Sequence, residues 1–277
     1  MATSPTLERS VSPRQQQEPA HGPASASKFA RIPLLCIVFA AGMAMFISID
    51  PAQAWILLAL TVLMGLATDG IIRSHPRGEF HTIADTSPYL FVPVLFTLSS
   101  GLFLEDVVLS YWAAPAVLGA AALMGVAVYG EYHSIDAEGR EFPMAHFLLN
   151  VVTYLTAFGF YAVVYGFDVD LLPASFAVGL VSMLLAIELF REAEADAMRA
   201  LVFAGVIGVI VAEARWVLYI VPLEGFLAGV LILLIFYLTT GVISHYLTDH
   251  LEHTVLLEFA LVTAAGLAIV IGGRTLG

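Results

Sequence analysis

Lysine occurs once in these 277 residues, at Lys28, and cysteine once, at Cys36. Lys28 precedes every apolar stretch, so a chromophore held by a lysine Schiff base inside a helical bundle is excluded. One cysteine permits no intrachain disulfide, and its apolar surroundings read as those of a small buried residue. Charged residues make up 12% of the chain, about half their share in a soluble domain. The chain contains no Walker loop, glycine-rich dinucleotide fingerprint, HExxH or GxSxG. Nucleotide-driven, zinc-protease and serine-hydrolase chemistries of those types therefore have no footing in the sequence.

Apolar residues make up 60% of the chain, and the mean hydropathy is +0.90. A helix needs about 20 apolar residues to cross a hydrocarbon layer of roughly 30 Å. Stretches of that kind occur near 32–49, 52–72, 88–104, 107–129, 143–166, 172–190, 200–220, 222–243 and 254–272. They are apolar on every side and do not alternate, which excludes a strand barrel. The expected fold is all-α: a polytopic transmembrane helical bundle of about nine spans, forming one domain over 32–277. Residues 1–31 are rich in Ser, Pro, Gln and Ala without an apolar period and read as a disordered tail. Ala52-Gln53-Ala54 resembles a cleavage site, but the long tail before the first apolar run fits an uncleaved anchor better.

Connections between the stretches alternate between tight and long. The long ones lie at Arg73–Ser87, Gly130–Phe142, Arg191–Arg199 and Ser244–Thr254, and hold six of the eight histidines. With the N-terminus in the cytoplasm, Lys28, Arg31, Arg73, Arg77, Arg140, Arg191 and Arg199 fall inside, and Arg215 and Arg274 toward the outside. That is a positive-inside bias. The formal charge is −12 all the same, and much of it lies on the cytoplasmic side. Such an acidic, histidine-rich face repels nucleic acid and favours a basic or cationic partner.

Ionisable groups inside a bilayer are costly and mark substrate or ion routes. Asp69, Glu188 and Glu258 lie close enough to the cytoplasmic boundary to reach water. The seventh span carries Glu213 and Arg215, two residues apart and so on opposite helix faces. Glu213 is the candidate lining of a polar cavity, with Tyr154, Tyr161 or Tyr165 of the fifth span as its partner. Asn150, Thr153, Tyr154 and Thr156 give that span a polar stripe. Pro93 and Pro115 should each kink a span, and Gly205 with Gly208 should allow close helix approach.

The richest loop runs from Ser244 to His253 and continues to Glu258. On a helix, His245 and Asp249 share a face, as do His250 and His253, and these four form a candidate site for a divalent metal. Their spacing resembles one histidine box of membrane di-iron oxygenases, but no second or third box occurs. Two further groups could converge with them: Glu131, His133, Asp136, Glu138, Glu141 and His146, and His75, Glu79, His81 and Asp85. In the loop Glu188–Arg199, Arg191 can reach Glu188 at i,i+3.

The stretches Phe190–Ile220 through Val255–Ile271 resemble an uncharacterised family of bacterial multi-pass membrane proteins, a domain of unknown function. That resemblance covers the last third of the chain and implies a place in a bacterial inner membrane, with no activity or site attached. Three functions fit the residues. They are a non-catalytic membrane component presenting the acidic face, a permease for a small solute or cation using Glu213, and a membrane enzyme with a cytoplasmic His/carboxylate metal site.

Overall fold

The computed structural model describes residues 31–49, 52–78, 80–107, 112–136, 138–166, 170–191, 196–220, 223, 225–247 and 253–276. Residues 1–30, nearly all of the tail expected to be disordered, lie outside them. The described residues hold nine long helices and no strand. These are α1 (Arg31–Ser48), α2 (Ala54–Ile72), α3 (Phe91–Val107), α4 (Ala113–Ser134) and α5 (Phe142–Gly166). They continue as α6 (Leu171–Phe190), α7 (Ala197–Ile220), α8 (Gly225–Leu247) and α9 (His253–Leu276). A short helix, Ile83–Thr86, and a 3-10 turn, Ser87–Leu90, lead into α3. Eight helices are long and apolar enough to cross a membrane, and α9 adds a shorter apolar stretch, Leu257–Gly273.

Large apolar side chains point outward as well as inward. Leu34, Trp55, Leu66, Leu118, Phe176 and Ile220 are all more than 60% exposed. In water such a surface would aggregate; in hydrocarbon it is the solvent-facing side of a bundle whose backbone bonds are satisfied within each helix. The chain is a multi-pass helical membrane protein.

The long helix α5 lies at the centre and packs on α3, α4, α6 and α8. Its buried face carries Leu149, Val152, Ala157 and Tyr161, against Phe236 of α8 and Leu185 of α6. Small residues set the closest approaches. A Cβ on Gly229 of α8 would stand 2.8 Å from the Cα of Ala162 in α5, and one on Gly208 of α7 would stand 2.7 Å from the carbonyl oxygen of Gly179 in α6. The glycine pair at the α6–α7 crossing is therefore Gly179–Gly208; beside Gly205 there is open space.

Two local expectations are corrected. Pro115 is third in α4, in its first turn, where a missing N–H costs nothing, whereas Pro93 lies inside the apolar span Ala84–Glu105, directly after the 3-10 turn Ser87–Leu90. Helix α4 also runs about five residues later than its hydropathy suggests, because the polar residues at its end are satisfied without leaving the helix. Ser134 Oγ donates to the carbonyl of Glu131, His133 Nδ1 lies 2.9 Å from the carbonyl of Tyr129, and Glu131 itself is fully buried.

Candidate functional site

Helices α5, α7 and α9 start, and α6 and α8 end, at the same end of the bundle as the long loops. There a cavity of about 210 Å³ opens among α5, α6, α8 and α9. Its polar wall consists of His146, Asn150 and Tyr154 on α5, Tyr237, Thr240, Ser244 and His245 on α8, and Glu258 on α9. Leu189 and Phe259 supply apolar lining. Spacing explains the α5 wall: 146, 150 and 154 are four apart and lie on one helix face.

Five of these polar groups are oriented by neighbours. Asn150 Nδ2 lies 3.0 Å from His146 Nε2, an arrangement in which the amide donates and the imidazole lone pair accepts. His245 Nδ1 lies 2.9 Å from the carbonyl of Gly241 and donates to it. The His245 ring stands edge-on to Phe259, with centroids 5.6 Å apart. Tyr154 Oη lies 3.2 Å from Thr240 Oγ1, which itself donates to the carbonyl of Phe236 at 2.7 Å. Thr240 is thus an acceptor for the tyrosine, and the pair forms the floor.

Below that floor the polar stripe continues. Tyr161 Oη bonds Ser182 Oγ on α6 at 2.7 Å, and Tyr165 Oη donates to the carbonyl of Leu218 on α7 at 2.7 Å. Residues 146, 150, 154, 161 and 165 all fall within about 100° of helix arc. The 19 residues from His146 to Tyr165 span roughly 28 Å, close to the thickness of a hydrocarbon core. Phe236, fully buried, packs against both Tyr154 and Tyr161. Thr153 and Thr156, expected in the same stripe, instead bond carbonyls of their own helix at Leu149 and Val152.

Beside the cavity, the ends of α4 and α6 are locked together by charge. Arg191 reaches Glu188 through Nη1 and Nη2, both at 2.9 Å, Glu131 Oε2 at 3.0 Å, and Ser134 Oγ at 2.6 Å. Its guanidinium also lies 4.2 Å from the centre of the Tyr89 ring. Burial opposes the charged guanidinium, but the carboxylates of Glu188 and Glu131 outweigh it and hold the Arg191 pKa above its ordinary value. Any stability this gives is therefore present below the ordinary arginine pKa and is lost only above it. The i,i+3 pair of Arg191 with Glu188 is as expected. Both Glu188 and Glu131 are buried, and among the described residues Glu131 Oε1 has no hydrogen-bond partner. The loop before α3 is fastened similarly: Arg73 Nε meets Asp69 Oδ2 at 2.7 Å, Thr86 Oγ1 donates to Asp69 Oδ1 at 2.6 Å, and Arg77 pairs with Asp136.

The expected site residues separate. Of the four metal candidates, His245 lines the cavity. Asp249 and His250 lie outside the described residues, as does the His253 side chain. Among the described residues no group of three or more His, Cys, Asp or Glu is placed to hold a metal. Of the histidines in the other two groups, His75 packs edge-on to Tyr132 at 4.7 Å, and His133 folds back on its own helix. His146 alone of these joins His245 in the cavity. Glu213 lies on an exposed face of α7, whereas Arg215 is buried, 4% exposed, with its guanidinium 4.6 Å from the Tyr165 ring centre. The three tyrosine hydroxyls expected for Glu213 go to Thr240, Ser182 and the Leu218 carbonyl. The weight of Thr240 and Ser182 escapes sequence reading, since a threonine and a serine in apolar runs look like packing; Tyr154, Tyr161 and Tyr165 were legible from their i+7 and i+11 spacing, though not their partners.

No match to the chain was found among curated proteins or among solved structures. A family model does match, over residues 32–272, well beyond the last third on which the resemblance rested. With its whole helical bundle covered, the chain belongs to DUF5656, a family of proteins of unknown function.

Proposed function

We propose that this protein is a permease for a small polar solute, bound in the cavity of His146, Asn150, Tyr154, Thr240, Ser244 and His245. The observation that carries the reading is the α5 stripe. Polar groups follow one helix face over a length close to the width of the hydrocarbon; its three tyrosines are each met by a different neighbouring helix, and the stripe begins in a cavity open at one end. Packing alone does not call for buried hydroxyls along one line, because each must find a partner in a medium that supplies none. Passage would require Phe236 to leave its place between Tyr154 and Tyr161, a movement of α8 against α5. The site differs from the one expected at Glu213, whose exposed position does not serve it.

The cavity's donors and acceptors suit an uncharged or zwitterionic solute, with Glu258 at the rim able to meet a cationic group. In a bacterial inner membrane with the N-terminus in the cytoplasm, the cavity opens to the cytoplasm. Proteoliposome uptake of a panel of small polar solutes tests the reading. Saturable flux for one class, reduced at least about tenfold by Thr240→Val or Asn150→Leu, supports it; background flux across the panel overturns it.

A second reading has its own support. The ion pair Arg77–Asp136 joins two of the long connections at the surface, a fixed surface of the kind a non-catalytic membrane component docking a basic partner would need. Crosslinking in native membranes decides it, since a protein recovered alone contradicts it. A divalent metal at His245, Asp249, His250 and His253, and an enzyme built on it, is a separate proposal. Elemental analysis of purified protein, before and after His245→Ala, tests it.

A further inference from the structure

At the end of the bundle opposite the cavity, α7 carries a buried cation. Arg215 lies five residues from the last residue of its helix, roughly 7.5 Å along the axis. It is 4% exposed. Among the described residues its buried Nε and Nη1 have no hydrogen-bond partner, and no carboxylate pairs with it. Glu213, two positions earlier, is on the exposed face and faces away.

What holds the guanidinium is an aromatic ring. Tyr165 lies 4.6 Å below it, and the hydroxyl of that tyrosine donates to the Leu218 carbonyl one turn further along α7. The ring is therefore fixed, and the guanidinium is supported on one face with the N–H groups of Nε and Nη1 still to be used. A ring face attracts a cation but accepts no hydrogen bond from most of its donors. Buried, fixed and short of acceptors, Arg215 is complementary to an oxyanion, which guanidinium N–H groups bind in pairs.

Position selects among oxyanions. Trp216, Tyr219 and Ile220 are 48%, 63% and 83% exposed around the same helix end. Exposed Trp and Tyr at a span terminus mark the headgroup level of a bilayer, where phosphate is the prevailing oxyanion.

We propose that Arg215, seated on Tyr165, is a binding site for a phosphate group at the Ile220 end of the bundle. The same chemistry is offered by a phospholipid headgroup and by free phosphate. The proposal does not depend on transport through the α5 stripe, and binding is read without flux.

The test uses the full-length protein delipidated in a neutral maltoside detergent, which contains no phosphate. Thermal unfolding is followed while inorganic phosphate is added in one arm and phosphatidylglycerol mixed micelles in the other. A saturable rise in Tm of roughly 2–4 °C is expected in at least one arm. A rise with the lipid alone identifies a headgroup site, and a rise in both identifies a site open to the free ion. Arg215→Met should weaken the apparent affinity at least about tenfold, Arg215→Lys less so, and Glu213→Gln not at all. Absence of a saturable rise in both arms for the wild type overturns the proposal, whether or not the methionine variant folds. So does a rise of unchanged affinity in a folded Arg215→Met protein.

Discussion

Tyr161 Oη and Ser182 Oγ meet at 2.7 Å in the middle of the bundle, both fully buried, and the direction of their bond is settled by a third group. Ser182 Oγ lies 2.6 Å from the carbonyl of Val178 and donates its proton there. The tyrosine must therefore be the donor to the serine, as Tyr154 is to Thr240.

That direction makes the two halves of the pair unequal. Tyr161→Phe removes a donor and leaves Ser182 bonded to its own helix, at a cost of about 1 kcal/mol. Ser182→Ala leaves a buried phenol without an acceptor and costs more, about 1–3 kcal/mol. Unfolding of both variants in one detergent should rank Ser182→Ala as the less stable; the opposite order would contradict the assigned direction.

Glycine substitutions should divide by what lies beside them. Gly208→Ala and Gly229→Ala force a methyl group against backbone of the next helix, and each should lower stability by about 1–3 kcal/mol. Gly205→Ala meets open space and should be neutral or stabilising by up to about 1 kcal/mol. Thermal unfolding of the three variants checks this, with Gly205→Ala expected at or above the wild-type midpoint.

Arg191 and Glu131 should respond in opposite ways. Arg191→Leu leaves Glu131 and Glu188 buried without their shared cation and should cost about 3–5 kcal/mol. Glu131→Gln removes one of two carboxylates competing for one guanidinium and keeps a carbonyl oxygen facing Nη1, so its unfolding midpoint should match or exceed the wild type. A Glu131→Gln protein as unstable as Arg191→Leu would show that both carboxylates are required.

In proteoliposomes, Glu213→Gln should leave solute flux within about twofold of wild type, since its carboxylate lies on the exposed face. Thr240→Val removes the acceptor for Tyr154 at the cavity floor and should depress flux by about tenfold or more. Equal effects of the two substitutions would detach transport from the cavity.

The class of protein was readable from composition, and most helices lie within a few residues of where hydropathy places them, because a bilayer demands a minimum apolar length that few other structures need. Helix α4 slipped because hydropathy counts Glu131, His133 and Ser134 as loop, and their partners lie on their own helix and, for Glu131 and Ser134, on Arg191, 60 and 57 positions away. Glu213 and Arg215 show the same limit from the other side. Spacing puts them on opposite faces of α7, but does not say which face is covered.

What the sequence determined alone is the solvent: a chain this apolar, with so few charges, has its lowest free energy in lipid and must close its backbone bonds helix by helix. Tertiary structure decided which polar residues meet. Helix periodicity puts His146, Asn150, Tyr154, Tyr161 and Tyr165 on one face of α5, yet whether that face meets lipid or other helices depends on the packing of α6, α7 and α8 around it. Those contacts join residues far apart in the chain through side-chain shape and backbone approach, as where Gly229 lets α8 close on Ala162. No local pattern encodes such contacts, and for that reason the buried cation proved to be Arg215 and the exposed acid Glu213.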